Sequence, residues 1–356
     1  MAHTPGVFTP TAIGKSLIHE MDLLGTSRMS ELSQEIVAGQ AILAHQDPQI
    51  ITQGFGQSCI NAKMYAMRSG SLEKATATIA CAVGGTVKAG TEAQDITKKM
   101  LVKPQGFIID DTLCANDIDF GKQKAYLGLK AKVGLEIALS QALVAKALTG
   151  IDTPDAADFE TAGNVVSDVY EVAAADFTSD LLADLQWAAK SKDMNQPIII
   201  NGRNFFNKAI LEQYASNGVS TNDAILNRNQ VFDIYWDAKN VDQIAGAGSS
   251  LIIDKNSLLF WSQPVYSNIG MDTAETEGKE PNDRYHWVEM LPRLMYFANG
   301  AYQPIYVDVR AERSCVTDEL GVPRNSWKFE YMCFGALELN MANEAGNQGI
   351  YKVAKV

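Results

Sequence analysis

Residues that often do chemistry are present in this sequence, but their spacing completes no catalytic motif. Asp119-Phe120-Gly121 has the order of the metal-binding triplet of protein kinases, yet the glycine-rich loop and the HRD-type catalytic loop that a kinase also needs are missing. Gly246-Ala-Gly-Ser-Ser250 has the composition of a nucleotide-binding loop, but it lacks the Lys-Ser/Thr pair of a P-loop and the third glycine of a dinucleotide-binding turn. We interpret the first as a chance match and the second as a turn between strands.

A metal site is not expected either. Asp110, Asp111, Asp117 and Asp119 offer the oxygen ligands that hard cations favour, but their spacing does not fit the twelve-residue calcium loop, so we predict a solvated loop. Zinc needs clustered ligands, whereas the five cysteines are widely spread without a CxxC pair and there are only four histidines. We therefore expect free, mostly buried thiols at Cys59, Cys81, Cys114, Cys315 and Cys333.

His286 lies beside Trp287 in an extended apolar run, and we expect it to pack in the core rather than to act as a base. The GxSxG elbow of hydrolases and the HExxH helix of metalloproteases are missing as well. The sequence therefore predicts a protein that is not an enzyme, with no catalytic, cofactor-binding or metal-binding residues and no cofactor.

Composition and charge are those of a folded, acidic protein: 46% of the 356 residues are hydrophobic, and the net charge is −12. No apolar run approaches the ~20 residues needed to cross a bilayer, and Met1–Pro10 lacks the pattern of a secretory signal, so we expect a soluble protein of the cytoplasm. Residues 1–150 hold 14 basic and 13 acidic side chains, against 16 and 29 in residues 151–356. This excludes a basic DNA-gripping protein; the asymmetry fits one nearly neutral face and one acidic face, or solubility alone.

The first third of the chain predicts segments that do not pack by themselves. Residues 1–10 contain too few apolar groups for a core and are expected to become ordered only against neighbours. Two short helices follow in residues 11–45. Two extended runs, 76–83 and 99–109, are joined by a polar interval rich in Gly, Thr and Lys, which predicts a long hairpin that buries little on its own subunit.

The rest of the chain predicts a long helix, then α/β structure, then long strands. Residues 124–148 are apolar on more than one face, which indicates a helix of ~37 Å covered on several sides. Next come a helix over 181–189, a helix capped by Asn204, and strands at 197–200, 231–237, 250–253 and 258–261, with Asp233 and Asp237 on the polar face of the second strand. Extended runs at 285–297, 301–312 and 326–339 complete the pattern.

This order of parts resembles the Hong Kong 97 fold of tailed-bacteriophage major capsid proteins, and the stretches 197–207, 232–236 and 249–254 look like the A-domain of that family. The resemblance implies an α+β fold with an N-terminal arm, an extended β-hairpin (E-loop), a long spine helix, an α/β A-domain and a β-rich P-domain. In this chain the parts would be 1–60 for the arm with short helices, 61–112 for the E-loop, 113–154 for the spine helix, 155–270 for the A-domain, and 271–356 for the P-domain strands and C-terminus.

The same resemblance implies a major capsid protein that assembles as pentamers and hexamers into an icosahedral phage head. It is expected to be made in the host cytoplasm and located in the virion. Its partners would be copies of itself, double-stranded DNA held by weak non-specific contact, and scaffolding, portal and decoration proteins, with no membrane. Some family members cross-link a hairpin lysine to a neighbouring asparagine; Lys88, Lys98, Lys99 and Lys103 lie in that region, although exposed solubilising lysines explain them as well.

Three alternatives stay open from the sequence. An encapsulin-like nanocompartment would use the same fold around protein cargo. Another virion protein, of the tail or of the head surface, would share the lack of catalytic motifs. A cytosolic α/β enzyme with an unrecognised site is the third alternative, from a different functional class.

Overall fold

The computed structural model describes residues 35–50, 61–66, 94–110, 117–176, 180–192, 194, 197–203, 233–246, 248–265, 284–317, 323–340 and 348–356. Within these ranges the protein is mixed α and β, with more strand than helix. The helices are α1 (Val37–His45), α2 (Asp117–Leu148), α3 (Asp180–Ser191) and α4 (Ala238–Ile244), with a 3₁₀ turn at Ala156–Asp158. The strands are β1 (Gln49–Ile50), β2 (Asn61–Tyr65), β3 (Gln94–Thr97), β4 (Lys99–Met100), β5 (Gln105–Asp110), β6 (Gly163–Val166), β7 (Val169–Val172), β8 (Ile198–Asn201), β9 (Asp233–Trp236), β10 (Ser249–Ile253), β11 (Leu258–Ser262), β12 (Arg284–Ala298), β13 (Ala301–Thr317), β14 (Pro323–Met332), β15 (Phe334–Leu339) and β16 (Ile350–Lys355).

These strands form four sheets. An antiparallel four-stranded sheet has the order β12-β13-β14-β5, and a six-stranded sheet has the order β6-β7-β16-β10-β8-β9. Two small sheets, β1-β2-β3 and β11-β15-β4, complete the set. The six-stranded sheet is mixed, because β7 pairs parallel with β16 and β8 pairs parallel with β9. The α+β fold class expected from the sequence is thus present.

Helix α2 is the long helix that the sequence predicts, but it begins at Asp117 rather than at Lys124 and so includes the Asp119-Phe120-Gly121 triplet. Its 32 residues span about 48 Å. It packs against α1, α4, β5 and β12, which confirms the predicted covering on several sides. The helix ends where the Thr149 hydroxyl donates to the carbonyl of Lys146, 2.7 Å away. The core side of α2 includes the fully buried Leu135, Leu139, Leu143, Val144 and Ala147.

A buried carboxylate joins α2 to an irregularity in β12. The pairing of β12 with β13 shifts register between Met290 and Met295, which leaves backbone N–H groups without strand partners. Glu136 accepts from the N–H of Arg293 at 2.7 Å and of Leu294 at 3.1 Å, and it also binds the Arg293 guanidinium at 2.6 Å. Burial raises the pKa of Glu136, and the charge and hydrogen bonds of Arg293 only partly offset that rise.

Helix α1 lies within the part of the chain, residues 11–45, where the sequence predicts short helices, and it packs into the subunit. Its Ala38, Ile42 and Leu43 are buried, and the helix packs against both α2 and β12. The side chain of Asp237 accepts from the N–H of Ala38 at 2.9 Å and caps α4 by accepting from the N–H of Asn240 at 3.0 Å. The segment from Ile36 to Leu43 therefore contributes to the core of this subunit, while residues 1–34, with the predicted proline-rich arm, lie outside the described residues.

The second half of the chain contains several features that the sequence pattern did not show. The C-terminal strand β16 lies in the six-stranded sheet, where Asp152 binds the N–H groups of Gln348 at 2.6 Å and Gly349 at 2.5 Å and holds the chain that leads into it. Strand β11 leaves the predicted 155–270 block and pairs with β15. Asp237 does not face solvent either; it is buried as the cap of α4. The run predicted over 326–339 is interrupted at Cys333, which divides β14 from β15.

The close approach of β11 and β15 depends on Gly335. A Cβ at this position would lie 2.0 Å from the carbonyl oxygen of Trp261, so even alanine forces the strands apart. We expect Gly335→Ala to lower the free energy of unfolding by at least about 3 kcal/mol in urea denaturation. Gly300→Ala is the matched control: Gly300 has a φ of +72° with nothing within 4 Å, so only the cost of the left-handed backbone, about 1–2 kcal/mol, is expected. Equal losses in the two variants would contradict the steric argument.

Candidate assembly surfaces

Strands β2 and β3 form what we call the hairpin root, residues 61–66 and 94–97. They pair antiparallel with Asn61 opposite Thr97 and Met64 opposite Gln94. Met64 and Ile96 are buried, so the root is fixed in the core. The chain between them, residues 67–93, thus leaves and returns at one place on the subunit; we call it the hairpin segment. The first predicted arm of the hairpin, 76–83, lies within it, outside the part of the chain that the structure describes.

The second predicted arm, residues 99–109, does not belong to the hairpin. Strand β4 pairs with β15, and β5 pairs with β14 at the edge of the four-stranded sheet. Phe107 stacks on Phe329 with ring centroids 4.9 Å apart, and Ile109 is buried, which explains why this run joins the core. The hairpin therefore ends at Thr97, and the predicted unit 61–112 is too long at its C-terminal end.

Ion pairs hold the strand that follows the root. Lys99 and Lys146 both bind the carboxylate of Glu338, the latter at 2.7 Å. Burial raises the pKa of Glu338, but the hydrogen bonds and charges of the two lysines outweigh that effect and lower it overall. Among the candidate cross-linking lysines, Lys99 is thus already paired and Lys103 is exposed. Lys88 lies in the hairpin segment outside the described ranges, and the cross-link stays a prediction.

The side of the four-stranded sheet opposite α2 carries four half-buried charged side chains. We call this side the charged sheet face (Arg310, Glu312, Lys328 and Glu330). Arg310 binds Glu312 at 2.5 Å and lies 4.0 Å from Glu330, which binds Lys328 at 2.7 Å. These four side chains, two positive and two negative, thus pair their charges with one another. Beside it, along the edge strand β5, Ile108 is 51% exposed. A depression of about 490 Å³ follows that edge, lined by Pro104, Gln105, Gly106, Phe107, Ile108, Lys328 and Glu330.

The β12–β13 hairpin has apolar residues on both faces. Leu294, Tyr296 and Ala298 are buried on the core side. We call the other side the outward apolar face. It consists of two cross-strand pairs, Met295 opposite Pro304 and Phe297 opposite Tyr302, and Tyr302 is 59% exposed. The rings of the second pair meet edge to face at 5.1 Å. Exposed apolar patches on a subunit surface commonly mark contacts with other molecules.

The end of this hairpin is held against the subunit. The turn Asn299-Gly300 has left-handed φ values of 53° and 72°, the combination of the two-residue hairpin turn that matches strand twist. Asn299 Oδ1 accepts from the N–H of Ile50 at 2.7 Å, and the N–H of Gly300 donates to Asp47 at 3.1 Å. The outward apolar face is therefore displayed on a fixed support.

Helix α3 displays an aromatic side chain at the surface of the six-stranded unit. Trp187 is 63% exposed, whereas Leu181, Leu185 and Ala188 on the other side of the helix are buried against the sheet. Tryptophan is enriched at the centres of protein interfaces because it buries a large, rigid surface. Trp187 is thus a second candidate contact point between subunits.

The residues singled out for possible chemistry do not converge on a site. Asp117 and Asp119 lie in α2 and Asp110 ends β5, so the predicted solvated loop holds at most for residues 111–116, outside the described ranges. The loop from Gly246 to Ser250 is a turn, as predicted, but it connects α4 to β10. His286 lies half-buried in β12, consistent with packing. In the described parts of the chain, no three His, Cys, Asp or Glu side chains come close enough to hold a metal ion.

The titrating groups with the largest shifts are buried structural ones. Burial raises the pKa of the Cys333 thiol to about 12, with smaller contributions from Asp308 and Glu136, so the thiol stays protonated and unreactive at neutral pH. Burial also raises the pKa of Tyr296 to about 12. Cys333 is thus the free, buried thiol that the sequence predicts; Cys59, Cys81 and Cys114 lie outside the described residues. No helix in the described ranges combines the length and apolarity needed to cross a membrane.

Neither a protein-family model nor a curated protein matches the sequence. Solved structures with partial likeness include the cyanophage Pam1 capsid asymmetric unit, with a TM-score of 0.40 and 10% identity over 82% of this chain and 83% of that one. Microbacterium phage Oxtober96 gives 0.40 and 11% over 85% and 89%, and the satellite phage P4 procapsid with its size determination protein gives 0.33 and 10% over 84% of each chain. At such scores these likenesses do not assign the chain to a family.

Proposed function

We propose that this chain is a major capsid protein: a structural subunit that assembles as pentamers and hexamers into the icosahedral head of a tailed phage around double-stranded DNA. The observation that carries the proposal is the hairpin root, which fixes both ends of a 27-residue segment at one buried place. Both ends of the segment are thus held at one place on the subunit. In a shell of identical copies, each segment overlaps the adjacent subunit and gains burial there.

Three exposed surfaces supply places where neighbours can bind. The four side chains that define the charged sheet face pair positive with negative, so an identical copy meets balanced charges there. The outward apolar face and Trp187 bring apolar area that a contact would bury. In this arrangement α2 and the four-stranded sheet form the P-domain, and the six-stranded unit forms an A-domain that gathers around the five-fold and six-fold axes.

The exposed side of α2 suits the inner surface of a DNA-filled shell. Its described exposed residues include Tyr126, Lys130 and Ala145, while Glu136 is fully buried. The exposed Lys130 provides weak, non-specific attraction to phosphate, which packaged DNA needs so that it can later leave.

Electron microscopy of the purified protein tests the proposal. We expect closed polyhedral particles of uniform diameter, sedimenting as one fast species, from protein expressed alone or with its scaffolding partner. A discrete small oligomer under both conditions would contradict a shell role. Particles from infected cells are expected to contain nuclease-protected double-stranded DNA; protein cargo in place of DNA would indicate a nanocompartment instead.

A further inference from the structure

Strand β5 is an edge strand of the four-stranded sheet. It pairs with β14 on one side, and among the strands that the structure describes none pairs with its other side. Residues 105–109 contain no proline or lysine, the residues that commonly protect an edge strand from pairing with another chain. The backbone N–H and C=O groups along this edge can therefore bind an extended segment of another molecule.

The exposed side of β5 combines a gap with a projecting side chain. Gly106 and Ile108 lie on the charged sheet face, and Ile108 is 51% exposed. Gly106 has no side chain and lines the depression of about 490 Å³ described above. A Cβ at this position would lie 2.6 Å from the carbonyl oxygen of Phe329, so no side chain of its own can fill the gap. The depression thus has room for an apolar side chain from a second molecule.

A second copy of the same strand fits this edge. Alternate residues of a strand direct their N–H and C=O groups to alternate sides, so two identical antiparallel strands can pair around a two-fold axis only in registers centred on a residue. The register centred on Phe107 places Ile108 of each copy opposite the partner's Gly106. Each projecting side chain then enters the gap of the other copy, and both gaps are filled at once.

The charges on β14 favour the same register. Lys328 lies opposite Ile108, and Glu330 lies opposite Gly106. With Phe107 on the axis, Lys328 therefore lies in the same cross-strand row as the partner's Glu330. A register centred on Ile108 would align Lys328 with the partner's Lys328, and one centred on Gly106 would align Glu330 with the partner's Glu330. Both of these registers bring like charges together, which disfavours them.

We propose that β5 is a self-pairing edge: two copies of this chain join antiparallel through residues 105–109, around a two-fold axis at Phe107, into one continuous sheet. An icosahedral shell contains two-fold axes, so the placement of this contact between capsomers rests on the proposed function. The pairing itself needs only the edge described here and also forms between two free copies.

Chemical cross-linking of Ile108→Cys tests the pairing. In the proposed register the two copies of residue 108 are diagonal neighbours, about 7–8 Å apart, which a short bis-maleimide spans. We expect a covalent dimer at twice the 38.7 kDa of one chain in a denaturing gel. Val166→Cys is the matched control, because Val166 is 45% exposed and lies on β6, an edge strand of the six-stranded sheet. It should give no more dimer than the wild-type chain. A missing dimer band from Ile108→Cys, or equal bands from both variants, would overturn the proposal.

Ile108→Lys is expected to weaken the self-association at least about tenfold in sedimentation velocity, because it removes the apolar side chain that enters the gap and adds a positive charge from each copy. Val166→Lys should sediment as the wild type does, and circular dichroism should show that both variants are folded. Wild-type sedimentation of Ile108→Lys would contradict the pairing.

Failure of the capsid function gives a different result. Cross-linked pairs from a protein that forms no closed particles would contradict the shell and leave the pairing intact. Closed particles from Ile108→Lys, together with no cross-link in Ile108→Cys, would contradict the pairing and leave the shell intact.

Discussion

Replacing residues 67–93 with an Asn-Gly dipeptide is expected to leave a folded subunit that forms no closed particles. The pairing of Met64 with Gln94 already brings the two ends together, so a short turn connects them without strain on the root. The buried Met64 and Ile96 of the root stay in place. Under the proposed function, the replacement removes the contacts of the hairpin segment with the adjacent subunit. Circular dichroism and analytical ultracentrifugation should show a folded, slowly sedimenting species, and electron microscopy should show no shells.

Two controls make this result specific. A deletion of residues 84–98 removes β3 and the buried Ile96 and is expected to unfold the protein. A flexible Gly/Ser stretch of the same length as 67–93 restores the chain length without its side chains and is also expected to abolish assembly. Closed particles of normal diameter from the Asn-Gly variant would show that the hairpin segment does not join subunits.

Glu136→Ala is expected to lower the free energy of unfolding by about 3–5 kcal/mol. The substitution leaves the buried Arg293 guanidinium without its carboxylate, and it leaves the N–H groups of Arg293 and Leu294 without their acceptor at the irregularity in β12. A buried polar group that loses its hydrogen-bond partner costs free energy of desolvation, and no other interaction in the native fold offsets that cost. Urea denaturation followed by tryptophan fluorescence measures the loss.

Glu136→Gln separates the charge from the hydrogen bonds. The amide oxygen of glutamine can still accept from the backbone N–H groups, so a smaller loss of about 1–2 kcal/mol is expected. Lys328→Ala, which breaks the half-exposed pair with Glu330, serves as the surface control and should cost about 1 kcal/mol or less. A loss below about 1 kcal/mol for Glu136→Ala would show that β12 does not depend on this carboxylate.

Elements whose signal is local could be predicted from the sequence. The apolar pattern of residues 124–148 predicts α2, and period-two alternation at Phe329 and Tyr331 predicts the core side of β14, where both side chains are buried. The buried run Ile198–Ile200 likewise forms β8. In each case the residues that determine the secondary structure are close together in the sequence, and their apolar pattern is compatible with one type of element only.

Elements that depend on distant partners were missed or misplaced. The β6–β7 hairpin is four residues per strand, too short for a periodic signal, and β16 gives no sign of its parallel partner β7. Helix α1 is almost entirely apolar, which agrees with its burial, but the residues that bind its N–H groups, Asp237 and Ser140, lie far along the chain. The positions of these elements are determined by tertiary contacts, which cannot be read from a single sequence.

The candidate surfaces were only partly foreseeable for a related reason. Leu294 to Ala298 are all apolar, so alternation cannot tell which face of β12 turns outward. Residues 99–109 form strands β4 and β5, as their extended pattern predicts. The pattern of a strand does not indicate which other strand it pairs with, here β15 and β14. Only the hairpin root, where Met64 and Ile96 pack together, shows where the core ends and the hairpin segment begins.

The central place of β16 in the six-stranded sheet has a consequence during synthesis. Strands β7 and β10 are made long before β16, and each has an open edge until residues 350–355 emerge from the ribosome and fill the gap between them. A nascent chain therefore holds an incomplete unit, which a chaperone can recognise by its unpaired edges. The core beneath α3, where Leu181 and Leu185 meet Tyr351 and Val353, is therefore complete only once this late strand is in place.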